Sequence, residues 1–230
     1  MADVFGAPCA GDAVPGENAA SVTRMLHSRQ LFDRTMTTPP LFLGISPQLF
    51  FYVFIYQALD QRRLADDDVV DYVAAVCVEF KSHEALWRMT PEENGTTVTM
   101  VDLLNLLGDV DRHQQYFLRR HIGNVSLFLT GFFPDLIFYR SRHKGAPPIA
   151  YYESIGRSQY ETAAEASRTY DEDAAPVLNR LAEQFVGIRS ALNLYTDAYL
   201  RLQNPKRAIE RIERQAATLD EESFRQSLEL

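Results

Sequence analysis

Apolar residues recur at steps of three and four along nearly the whole chain. No stretch keeps the apolar and polar alternation of a half-buried strand or the turn spacing of hairpins. The pattern predicts an all-α protein. A first helix is expected over about residues 19–36, with Val22, Met25, Leu26 and Phe32 on its apolar side. "TTPPLFLGIS" then forces an extended connection, because a residue preceding proline avoids the helical region. Ser46 followed by Pro47 is a start signal. The hydroxyl caps free amides, and proline at the first helical position gives up a donor that had no partner. The helix that follows, to about Leu64, is apolar all the way round from Leu49 to Tyr56, which implies a central, buried position.

After "DDD" a third helix is predicted over about residues 69–89, including Trp87, and a short one over about 100–107. Asp109 or Asp111 caps the next segment. There Leu118, Ile122, Val125, Leu129, Phe132 and Leu136 keep helical spacing straight through Gly123 and Gly131. A helix restarting at Pro147 or Pro148 and running to about Tyr170 carries a stripe of small residues: Gly156, Ala163, Ala166 and Ser167. Past "DEDAAP" the positions Val177, Leu181, Phe185, Ile188, Leu192, Tyr195, Tyr199 and Leu202 come close to a heptad, and Asn204 and Pro205 end it. The tail from Lys206 alternates charge sign around Ile209, Ile212, Ala216 and Leu219, the pattern of a solvated amphipathic helix. The architecture expected is a single-domain multi-helix bundle of about seven or eight helices over residues 18–204, with a loose arm over 1–17 and an amphipathic tail over 205–230.

Composition narrows the function classes. The opening "MADVFGAPCAGDAVPGENAA" has neither the basic start nor the apolar core of a secretory signal. The longest dense apolar run, "LFFYVFI", falls far short of the roughly 20 residues a bilayer span needs, so no membrane association is expected. Two cysteines, Cys9 and Cys77, do not make a disulfide framework, and a reducing cytoplasm is the expected compartment. A net charge of −8 argues against nucleic-acid binding, which depends on cations displacing counterions from phosphates. The charge is uneven, however. Residues 112–157 hold seven Lys or Arg against Asp135 and Glu153, a balance of +5, and also three of the five histidines. A small anion or an acidic protein is therefore the expected partner, and self-association is a further expectation.

Motif chemistry is sparse. No Glu-x-x-His pair occurs, so a di-iron centre of the four-helix type is not expected. Glu79 and His83, four residues apart, are the only pair read as able to share a metal, and an ordinary surface pair is the simpler reading. There is no Walker loop, no strand-led glycine fingerprint and no Gly-x-Ser-x-Gly elbow. No metal and no cofactor are expected, and Cys77 reads as an inert core thiol.

Two patterns stand out. In "HIGNVSLFLTGFFPD" each interior glycine disfavours the helix by about 1 kcal/mol relative to alanine, so some other term must offset two of them. One account is close packing: a neighbouring helix crosses the glycines, Ser126 and Thr130 bond back to the preceding turn, and Pro134 kinks or ends the helix. The other places His121 and Asn124 at a cavity, with Thr130 further along and its carbonyl freed by Pro134. In "YYESIGRSQY", Tyr152, Gly156 and Tyr160 share one helix face, and Glu153 and Arg157 are four apart. Either this is an aromatic packing surface with a routine ion pair, or Arg157 turns inward among tyrosines to clamp a carboxylate or phosphate.

With "ISPQLFFYV" (45–53) and "EQFVGIRSALN" (183–193), these two stretches resemble an uncharacterised family of helical bacterial proteins. The resemblance implies a helical fold and a bacterial origin and carries over no catalytic residue. The expectation is a binding or interaction protein with a small-anion site between helices 112–133 and 148–170. His121, Asn124, Thr130, Tyr152, Arg157 and Tyr160 are the candidate ligand residues. Its competitors are an enzyme using His121 as acid or base with Arg157 as anion clamp, and a purely structural oligomer subunit.

Overall fold

Ser46 starts its helix as the sequence requires, its side chain accepting from the Leu49 amide at 3.2 Å, with Pro47 in the first turn. Asp66 does the same for Val69, also at 3.2 Å. Asp111 makes a capping box: its carboxylate accepts from the Gln114 amide at 2.8 Å, and the Gln114 side chain accepts from the Asp111 amide at 3.1 Å. The computed structural model describes residues 15–38, 44–80 and 99–200. Most of the arm over 1–17, the part of the 69–89 helix that holds His83 and Trp87, and the tail over 205–230 lie outside the described residues.

The all-α class is what the structure shows, with no strand among the described residues. There are ten α-helices among them rather than seven or eight. They are α1 (Pro15–Leu26), α2 (Arg29–Thr37), α3 (Pro47–Asp60), α4 (Asp67–Glu79), α5 (Met100–Leu106), α6 (Arg112–Phe132), α7 (Pro134–Lys144), α8 (Ile149–Tyr170), α9 (Ala175–Glu183) and α10 (Phe185–Tyr195). The difference comes from three breaks that apolar periodicity runs across. Ser28 leaves the helical region and caps α2 through the Leu31 amide, dividing the expected first helix. Pro134 divides α6 from α7. Gln184, at φ −102° and ψ 12°, separates α9 from α10, and a π-helical turn over Thr196–Leu200 follows.

The chain contacts separate one compact unit ending at Gly44 from another beginning at Ile45. In the first unit α1 and α2 are joined at Ser28, whose hydroxyl donates to the Met25 carbonyl at 2.8 Å. In the second, α6 is packed on α8, α10, α5 and α4; α8 on α9; and α3 on α4 and α10. Seven consecutive residues of α6, Ile122 to Phe128, are buried, as are Val53, Phe54 and Ile55 of α3, so both helices are enclosed on several sides.

The break at Pro134 is built rather than tolerated. Proline cannot donate to the Thr130 carbonyl. The Asn193 amide group does so instead, donating to the Thr130 carbonyl at 2.6 Å and to the Gly131 carbonyl at 2.7 Å. Arg189 donates to the Asn193 Oδ1 at 3.3 Å and pairs with Glu153. A buried relay thus joins α8, α10 and the end of α6. No single helix among the described residues is long and apolar enough to cross a membrane; α6 and α7 together reach that length but bend by 92°.

Candidate functional site

The glycines of α6 and α8 serve close packing. A Cβ on Gly123 would lie 2.7 Å from two ring carbons of Tyr160, and one on Gly156 would collide with the Phe185 ring and lie 2.9 Å from the Ser126 Cβ. Helices α6 and α8 therefore meet directly at these two glycines. A cleft of about 600 Å³ opens instead elsewhere along α6, toward the end of α4 and toward α5. Its apolar part is Leu106, Val110, Phe117 and Leu118; its polar part is Glu79, His113, Gln114, Arg120, His121 and Asn124.

Asn124 sits where the packing face and the cleft meet. Its Oδ1 accepts from the Tyr72 hydroxyl and from the Tyr160 hydroxyl, each at 2.9 Å. Burial pushes both phenols above their usual range, so both keep their protons and act as donors. With both lone pairs of Oδ1 engaged, the amide is locked in one orientation, and its NH₂ is the group left for a ligand.

Arg120, one turn before, is half-buried among aromatic rings. Its guanidinium carbon lies 5.5 Å from the Tyr116 ring centre, 5.9 Å from that of Tyr72 and 6.0 Å from that of Phe117. Its Nη1 donates to the Tyr116 hydroxyl at 3.2 Å and to the Asp171 carboxylate, its ion-pair partner, at 3.5 Å, and the guanidinium also hydrogen-bonds Tyr72. A guanidinium has five donors, and these contacts use few of them. His121 is half-buried beside it, edge-on to Phe80 at 5.6 Å between ring centres. Glu79, at the far wall, has its carboxyl raised above the usual carboxylate range by desolvation, against the pull of the Arg120 charge. The arrangement can take an anion at Arg120 and Asn124 with an ionisable acid across the space.

The candidate residues read from sequence divide accordingly. His121 and Asn124 line the cleft. Tyr160 is fully buried and acts behind the wall, through Asn124. Thr130 is fully buried and bonds back to the Ser126 carbonyl at 2.7 Å, so it lines nothing. The same back-bond was expected of Ser126, but its hydroxyl has no hydrogen-bond partner. Tyr152 is half-buried on α8, edge-on to Tyr151 and near the Arg140 charge. Arg157 is exposed and does not turn inward; Glu153, its expected partner, faces the other way to Arg189, with side-chain exposures of 14% and 12%.

Sequence reading passed over Arg120 and the aromatic surround, and weighed Glu79 only as a partner of His83. A signal was present: His113, Phe117, Arg120 and Asn124 follow at steps of 4, 3 and 4, a polar and aromatic stripe along one face of α6. The +5 window does not gather at one place. Arg119 donates to Gln159 at 2.8 Å, Arg120 enters the cleft, and Arg142 lies over the Phe138 ring. Among the described residues no group of three His, Cys, Asp or Glu could hold a metal ion, and His83 lies outside them. No family model, curated protein or solved structure matches this chain.

Proposed function

We propose that this chain is a binding protein for a small carboxylate or phosphate, with residues 45–200 as a helical bundle that carries the Arg120 cleft. One observation carries the reading: a guanidinium with spare donors stands in a cleft beside an amide whose acceptor is already saturated by two tyrosine hydroxyls. Charge-assisted bonds from such donors are the strong ones, and Arg suits planar two-oxygen anions. The volume, about 600 Å³, is in the range of small-molecule sites.

The test is a thermal-shift and calorimetric screen of acetate, benzoate, phosphate and sulfate, each against wild type, Arg120→Gln and Asn124→Asp. A ligand at about 100 times its Kd should raise stability by roughly 2.7 kcal/mol. Asn124→Asp keeps an acceptor for Tyr72 and Tyr160 but replaces the NH₂ by a second oxygen. It should keep the fold and lose the anion-dependent shift, as should Arg120→Gln. If no anion stabilises the wild type, or if both variants respond as the wild type does, the proposal is wrong.

A further inference from the structure

We infer that the occupant of the Arg120 cleft is an α-amino acid with a large apolar side chain, bound as its zwitterion. The inference rests on the anion-site reading above and adds the ligand's other two groups.

From His113 to Asn124 the helix rises about 16 Å, and Phe117 stands within it with its ring centre 6.0 Å from the Arg120 guanidinium carbon, while α5 and the turn after it supply the apolar Leu106 and Val110. Glu79 is the one carboxylate among the described lining residues. It feels the charge of Arg120, so the two groups address the same space, yet no ion pair within 4.0 Å joins them. Opposite charges that share a cleft without touching leave room for a ligand that presents both signs side by side. A dicarboxylate would set one anion against Glu79, and a plain fatty acid would leave Glu79 without a counter-charge. A simple amine would leave the remaining Arg120 donors without an acceptor, because Asp171 and Tyr116 are both met through Nη1. The ammonium and carboxylate of an amino acid satisfy both.

The third group is read from Phe117. Its ring is 48% exposed although it projects from a helix with a large buried core. It is held in place edge-on by His113 at 4.8 Å and Tyr116 at 4.9 Å between ring centres. An oriented aromatic surface open to a cleft is covered at a gain by an apolar or aromatic side chain.

The experiment is calorimetric titration of wild type, Glu79→Gln and Phe117→Ser with phenylalanine, leucine, glycine, 3-phenylpropionate and 2-phenylethylamine. Phenylalanine or leucine should bind wild type about tenfold or more tightly than glycine, 3-phenylpropionate or 2-phenylethylamine. Glu79→Gln should erase the advantage of phenylalanine over 3-phenylpropionate without weakening the latter. Phe117→Ser should bring phenylalanine toward glycine. If 3-phenylpropionate binds wild type as tightly as phenylalanine, or if Glu79→Gln leaves their ratio unchanged, the zwitterion inference is overturned while the carboxylate reading stands. If glycine matches phenylalanine, the apolar side chain is refuted. If no carboxylate binds more tightly than about 10 mM, both fall.

Discussion

Replacing Gly156 by alanine should destabilise the protein, although alanine is the better helix former by about 1 kcal/mol. The added Cβ would lie 2.5 Å from the Phe185 Cζ and 2.9 Å from the Ser126 Cβ, where carbon atoms prefer about 3.5 to 4.0 Å. Neither neighbour can yield cheaply. The Ser126 Cβ moves only with the backbone of α6, and Phe185 is fully buried with its ring 6.1 Å from that of Tyr160. Relief of about 1 Å must come from separating α6 and α8, and overpacking of this kind costs typically 1 to 3 kcal/mol. The net expectation is a loss of about 2 kcal/mol. Gly187→Ala is the contrast, because its Cβ would meet only the Leu64 Cδ1, the tip of a half-buried flexible side chain, at 2.9 Å. There the propensity gain should win, by up to about 1 kcal/mol. Gly131→Ala, facing the Leu192 Cδ1 at 3.0 Å and its Cβ at 3.3 Å, should fall between. Urea unfolding of the three variants reads this as a shift of midpoint at constant slope. A Gly156→Ala protein as stable as wild type, or an order other than 187 above 131 above 156, would refute the claim that these glycines are set by interhelical contact.

Asn193→Leu removes the donor of two buried carbonyls and should cost about 3 kcal/mol in the same assay, whereas an Asn193→Leu protein of wild-type stability would mean water replaces the amide. Stability should fall with alkali. The Cys77 thiol and the Tyr72 and Tyr160 phenols are raised by burial, and Tyr52 is pushed up to about 12, so each contributes fully below its unfolded pKa, about 8.5 for thiol and 10 for phenol. Each contribution is lost as pH rises toward the folded value, so the decline begins near pH 8.5, and Cys77→Ala should remove its part below pH 10; stability flat to pH 11 would contradict this. Arg63, in the turn after α3, has φ +57°, a left-handed position that glycine occupies without penalty, and Arg63→Gly should gain up to about 1 kcal/mol by thermal denaturation, while a loss would show the arginine side chain to matter more than its backbone.

What the sequence revealed and what it hid follow from range. Helices and their starts rest on neighbours within four residues, and the Ser46, Asp66 and Asp111 caps stand where composition put them. Periodicity was blind to direction: Leu129, Phe132 and Leu136 keep helical spacing across a 92° bend. Partners were harder still. Glu153 has an arginine four residues on, the local choice, but pairs with Arg189, thirty-six residues away, because α8 and α10 pack together. Arg120 meets Asp171 and Asn124 meets Tyr72 over comparable distances in sequence. Nothing local in the chain distinguishes those pairings from their alternatives.

The stretches that drew attention in the sequence converge, and where they converge explains how the cleft is held. "LTGFFP" ends at carbonyls taken by Asn193 of "EQFVGIRSALN", whose Arg189 pairs with Glu153 of "YYESIGRSQY". Gly156 of the last of these lies against both Phe185 and Ser126. Their distinctive residues therefore mark a packing junction, and the groups that line the cleft hang from another side of the same helix. Tyr160 links the two. Its ring fills the space that Gly123 leaves, and its hydroxyl, with that of Tyr72, saturates the oxygen of Asn124. A bulkier residue at 123 would displace the ring, free that oxygen to turn, and unlock the amide that faces the cleft. The glycine in "HIGN" acts on the cleft without lining it: it allows the contact that orients the asparagine beside it.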